Sequence, residues 1–148
     1  MNIFILDKNP LRAARYHCDK HVSKMILESA QMLSTVLDGP YKPTHKNHPC
    51  TLWVAESRAN AQWLTTLAWH LNNEWRYRYD HAHDHKSWEV IRSIEDRVHE
   101  LPDLRLTPFA LAMPEEYKDA ADPVKSYRAY YRSKPFAKWE HSPTPTWW

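Results

Sequence analysis

Four ionisable side chains stand at helical spacing near the start of the chain: His17, His21, Lys24 and Glu28, at i, i+4, i+7 and i+11. On one helix they form a line along a single edge, and the two turns from His21 to Glu28 span roughly 10 Å of axial rise. Leu11, Ala14, Cys18, Val22, Met25, Ile26 and Leu33 form an apolar stripe beside that line. A carboxylate and two imidazoles at the rim of a buried face are placed where burial shifts proton affinities, which is the setting for acid–base chemistry. Read without function, the same residues are a polar flank. Asp19 is not Glu28's partner, because on a helix the two lie about 180° apart.

A second constellation closes the chain. Lys125, Tyr127, Arg128, Tyr130, Tyr131, Arg132, Lys134, Phe136, Lys138, Trp139, Trp147 and Trp148 interleave cations with rings. Residues 123–148 hold five basic side chains against one acidic, while the rest of the chain holds 15 basic and 17 acidic. Cations neutralise phosphates and aromatic faces stack on bases, each stack contributing roughly 1–3 kcal/mol. Aromatic residues also dominate cores, and some of these rings must serve there. Between the two constellations, His81, His83 and His85 alternate between Asp80 and Asp84. In an extended segment they would point one way, but a tetrahedral metal site would need closure from elsewhere. No metal is assigned to them.

The composition excludes several classes. The single glycine, Gly39, rules out a Gly-rich phosphate loop or a dinucleotide fingerprint and argues against a hairpin-rich β fold. Cys18 and Cys50 make no CxxC pair and no disulfide framework, which suits a reducing compartment. No apolar run reaches membrane-spanning length and no signal-peptide pattern opens the chain. A soluble cytoplasmic protein is expected, with no membrane partner.

The elements that must position these residues are helical. Met1–Leu6 is a short apolar lead that either buries or presents the α-amine. Asn9-Pro10 supplies a cap and an N1 proline, opening one helix expected to run to about Leu37 and stop at Asp38-Gly39-Pro40. A second long helix is expected from Pro49 to about Tyr79. A third, capped by Ser87, carries Trp88, Ile91, Ile94 and Val98. Short helical turns are expected around 109–113 and 115–118, and Asp122-Pro123 opens a last helix ending near Ser133. The chain, 148 residues long, reads as one compact all-α domain of three to four main helices with an irregular, aromatic-rich C-terminal third.

These residues resemble a known family. Asp19-Lys20-His21-Val22 with Glu28 looks like the first-helix motif of the phage pyrimidine-dimer DNA glycosylase/AP lyases of the endonuclease V type, in which the catalytic glutamate lies seven residues after the histidine. Lys46-Asn47-His48-Pro49 is similar to an element before the second long helix in bacterial relatives. The segment around Tyr127 to Lys134 and the closing Trp147-Trp148 resemble the family's DNA-contacting C-terminal part. The resemblance implies an N-terminal α-amine that attacks C1′ of a damaged nucleotide and forms a Schiff base. An α-amine, with a pKa of about 7.7–8.0, is more available for this at neutral pH than a lysine near 10.4. The amine belongs to Met1 if that residue is retained and to Asn2 if it is removed; the bulk of Asn2 favours retention. Glu28 would stabilise the cationic sugar and assist proton transfer, and His21 would orient the site.

His17, Lys24, Lys46, His48, Lys125, Tyr127, Arg128, Tyr131, Arg132, Lys134, Trp139 and Trp147 are the candidate DNA or ligand contacts. The implied protein is a monomer in a bacterial host cytoplasm, phage-encoded in the reference case, acting on damaged or modified duplex DNA without cofactor or metal. Leu27 and Gln31 stand where the phage enzymes carry arginines, a departure that bears on pyrimidine-dimer specificity and not on the fold. The competing reading is a non-catalytic phage protein that holds DNA or sequesters a nucleotide, such as a host-defence antagonist. A nuclease built on the His81–His85 bridge would instead require a metal.

Overall fold

The computed structural model describes residues 1–148 and contains no strand. Six α-helices build it: α1 Pro10–Tyr16, α2 Asp19–Leu37, α3 Pro49–Glu56, α4 Arg58–Arg78, α5 Lys86–Ile94 and α6 Pro123–Arg132. Short 3-10 helices span Glu95–Glu100 and Glu115–Tyr117. The all-α expectation holds. The count exceeds three to four because both long helices are broken.

The first break falls at His17-Cys18, both extended in backbone (ψ 136° and 159°). A broken helix leaves orphan carbonyls and N–H groups that must find partners. Here Arg78, from the end of α4 and with a fully buried side chain, donates to the Arg15 carbonyl at 2.9 Å and the His17 carbonyl at 2.7 Å. The same guanidinium pairs with Asp19 at 3.2 Å and Glu74 at 3.0 Å. Cys18 N–H donates to the Tyr131 hydroxyl at 2.9 Å, and Asp19 N–H to the Lys138 carbonyl at 2.9 Å. The second break, at Ser57, is a local cap: its hydroxyl accepts from Asn60 N–H at 3.0 Å and starts α4.

α2 and α4 pack together at the centre, with α1 against α4 and α5 against α2. The lead from Ile3 to Leu6 is buried among them, so the chain begins in the core. α6 opens at Asp122-Pro123 as its cap chemistry predicts, Asp122 accepting from Lys125 N–H. The expected helical turn at 109–113 is absent. That stretch has no regular structure, and its polar groups are tied to side chains: Tyr127 donates to the Ala110 carbonyl, and Asn2 to the Ala112 carbonyl. No helix is long and apolar enough to cross a membrane.

A candidate active site at the chain terminus

The buried lead aims the first residue at the second helix. Met1 is part-exposed as a residue while its side chain is only 3% exposed, so the accessible part is its main-chain end, where the amine lies. That nitrogen is 3.3 Å from Glu28 Oε1, and the Asn2 N–H donates to the same oxygen at 2.9 Å. Asn2 is anchored from its other end as well. Its amide donates to the Ala112 carbonyl at 2.8 Å and its Oδ1 accepts from Ile3 N–H at 2.8 Å. Residue 2 is therefore a fixed hinge pin, and it sets the direction of the amine.

Glu28, 11% exposed, opens onto a cleft of about 210 Å³ shared with Met1, Phe4, His21, Lys24, Lys134 and Phe136. His21, Lys24 and Glu28 share one face of α2, as their i, i+3, i+7 spacing requires. The His21 ring stacks on Phe4 with centroids 4.7 Å apart, and its Nδ1 lies 2.9 Å from the Tyr131 hydroxyl. Burial, and then the charges of His17, Lys134, Lys24 and Lys20, lower its pKa to about 3, so the ring is neutral at physiological pH. Lys134 Nζ sits 4.1 Å from the Tyr130 ring centroid, and Lys20 Nζ 4.9 Å from that of Phe136. Neither they nor Lys24 pairs with a carboxylate. Unpaired ammoniums outnumber the single carboxylate, so the cleft favours an anion.

The remaining expected contacts divide. His17 is not on the α2 line at all: it lies in the break, fully buried, with Nδ1 2.6 Å from the Ala13 carbonyl. Tyr127 and Tyr131 have no accessible surface and support the site from beneath instead of stacking on bases. Arg128 is committed to the Leu6 carbonyl and Asp7, and Arg132 to the Trp147 carbonyl. Trp139 donates to the Tyr16 carbonyl, and the Trp147 indole nitrogen is buried without a partner; these two indoles bind the tail to the body. Lys125 and Lys46 are exposed and unpaired. His48 caps α3 by accepting from Cys50 N–H, and its pKa is lowered by burial and then by the nearby terminal amine.

Tyr130 and Phe136 belong to the basic-aromatic constellation seen in the sequence, whereas Lys20 and Phe4 are not among the contacts expected from it. Lys20 was legible in principle, four residues before Lys24 on one helix. The rings reach the cleft only through tertiary packing. In the histidine bridge, His81 stacks on Trp75 at 3.7 Å and His85 caps α5 while its Nε2 meets Ser23 Oγ at 2.9 Å. No three potential ligands gather in a metal-holding arrangement.

An amine beside a carboxylate, in a cleft that attracts anions, is equipped to attack an electrophilic carbon and hold the resulting cation. No curated protein and no solved structure matches the chain. Residues 1–87 do match a protein family, and that span holds Met1, His21, Glu28 and the Lys46–Pro49 loop but not the aromatic tail. With more than half of its length matched, the chain belongs to the pyrimidine dimer DNA glycosylase family.

Proposed function

We propose that the protein is a DNA glycosylase with AP-lyase activity on damaged or modified pyrimidines, acting through the Met1 amine. The observation that carries this reading is the 3.3 Å approach of that amine to Glu28 in a cation-rimmed cleft. Glu28 takes a proton from the amine, whose lone pair then forms the N–C1′ bond as the glycosidic bond breaks and the base departs with its electrons. The departing base takes up the second amine proton, and Glu28 returns its own to O4′ as the sugar ring opens, which leaves a cationic Schiff base beside the re-formed Glu28 carboxylate that stabilises it. Loss of a C2′ proton then expels the 3′ phosphate and cuts the strand. The bulk of Asn2 favours retention of Met1 and so makes Met1 the nucleophile; were Met1 removed, the Asn2 nitrogen, 2.9 Å from the same Glu28 oxygen, would take its place.

Lys20, Lys24 and Lys134 hold phosphates at the cleft, with Lys46 and Lys125 as outer contacts. Leu27, 40% exposed, and Gln31 line a recess with Tyr41 and Thr44 next to Glu28 on α2. They present an apolar and an amide surface where the phage enzymes carry arginines, so the lesion read there is set by shape and hydrogen bonding more than by charge. Purified protein should nick duplexes containing an abasic site, and should nick at least one of a panel of ultraviolet-damaged or modified-pyrimidine duplexes. Binding to all of these without any nicking would instead favour a non-catalytic DNA-binding protein.

A further inference from the structure

We propose that Tyr131 is a positioning residue that fixes His21 as the Nε2–H tautomer, so that a neutral imidazole offers a hydrogen-bond donor to a substrate oxygen in the cleft. The inference deepens the glycosylase reading and rests on it for the substrate.

The assignment follows from counting protons. The Tyr131 hydroxyl makes two hydrogen bonds, each 2.9 Å long, with Cys18 N–H and His21 Nδ1. The amide is a donor only, so the hydroxyl oxygen accepts from it and its own proton is left to give. The Cys18 thiol also lies beside the hydroxyl, but its sulfur is a weak acceptor, so the proton goes to His21 Nδ1, the stronger acceptor. A proton on Nδ1 would make the hydroxyl accept twice and leave its own hydrogen only the weakly accepting Cys18 sulfur, in a fully buried place. With Nδ1 accepting, the neutral ring carries its hydrogen on Nε2. That nitrogen has no protein partner, is not sealed from solvent, and belongs to a ring lining the cleft.

The surroundings favour a neutral donor there. Lys20, Lys24, Lys134 and the Met1 amine oppose a further positive charge, while Glu28 supplies the one negative charge. A neutral Nε2–H bonds a sugar or phosphate oxygen without competing for the proton that Glu28 takes from the amine. The opposite tautomer would present a lone pair to the same oxygen and repel it. The helix break has a role in this arrangement. In a continuous helix the Cys18 N–H would bond the Ala14 carbonyl; instead His17 N–H takes that carbonyl and Cys18 N–H is free for Tyr131. His17, one turn earlier, is an internal reference of the other kind, because its Nδ1 donates to the Ala13 carbonyl.

Long-range proton–nitrogen correlation NMR on the ¹⁵N-histidine-labelled full chain at neutral pH, without DNA, reads both tautomers. The expected result is His21 protonated on Nε2 and His17 on Nδ1. A His21 ring protonated on Nδ1, or on both nitrogens, overturns the inference. Tyr131→Phe should mix the His21 tautomers. Because Tyr131 is buried, a second pair of variants avoids dependence on that fold: the amide nitrogen of His21→Gln approximates Nε2 and that of His21→Asn approximates Nδ1. His21→Gln should cleave abasic DNA about tenfold faster than His21→Asn, the worth of one hydrogen bond; equal rates, or the reverse order, count against the proposal. An Nε2–H ring in a protein that never nicks DNA would sink the glycosylase reading and leave the tautomer assignment supported. Nicking by a protein whose ring is Nδ1–H would do the opposite.

Discussion

Two histidines are buried in the neutral state, and the cost of charging them sets the acid limit of the fold. Burial lowers His17 from 6.5 to about 4 and His21 from 6.5 to about 3. Both folded values lie below the unfolded one, so between them the unfolded chain binds more protons than the folded chain. Stability from these groups is therefore whole above about pH 6.5 and falls as pH drops toward 4. Between pH 7 and pH 5 each unfolded histidine goes from mostly neutral to almost fully protonated while its folded counterpart stays neutral. By linkage that removes roughly 2 kcal/mol per histidine, about 4 kcal/mol for the pair. His48, His70 and His85 are also lowered and add in the same direction. Ordinary carboxylates titrate mostly below this window. The perturbation is His17→Asn, whose amide keeps a donor toward the Ala13 carbonyl and removes the titrating group. Its lost volume costs stability at every pH, by about 1–3 kcal/mol. The pH-dependent loss between 7 and 5 should nevertheless shrink by roughly 2 kcal/mol. Urea unfolding followed by tryptophan fluorescence at the two pH values measures both terms. A variant that loses as much stability as the wild type on going to pH 5 would refute the reasoning.

Three further perturbations follow from the same contacts. Glu28→Gln keeps an oxygen to accept the Asn2 N–H but removes the charge, so strand cleavage at abasic sites should slow by about 10²–10⁴ in single-turnover kinetics with binding largely retained. Arg78→Met strands two carbonyls and two carboxylates at the α1–α2 break and should cost about 3–5 kcal/mol in denaturant unfolding. Replacing Lys20, Lys24 or Lys134 singly by Gln should weaken DNA binding whatever the sequence. Each should also reduce the slope of log affinity against log salt by about 0.9, read by fluorescence anisotropy across a salt series.

Features governed by neighbours in the chain were legible from sequence. Asn9-Pro10 and Asp122-Pro123 start helices where cap chemistry puts them, and the spacing of His21, Lys24 and Glu28 places all three on the cleft. The α1–α2 break was not legible, since the stretch from Pro10 to Leu37 has continuous helical periodicity and nothing local to stop it. What stabilises the break arrives from Arg78 and Tyr131, far along the chain. Losing the break misplaced His17, which moves from the edge of a helix into the core. The C-terminal third misled in another way. Composition counts charges and rings but not their partners, and Arg128, Arg132 and Trp139 spend theirs on Asp7, the Trp147 carbonyl and the Tyr16 carbonyl. The free cations of the site come largely from α2, whose Lys20 and Lys24 carry no such commitment.

The central claim is that the first atom of the chain is the nucleophile. Borohydride added during incubation with abasic duplex should trap a covalent protein–DNA adduct. Proteolysis and mass spectrometry should then place the reduced linkage on the α-nitrogen of a retained Met1, beside Glu28. An adduct on a lysine such as Lys134, or no adduct from a protein shown to have a free Met1 amine, would contradict the account.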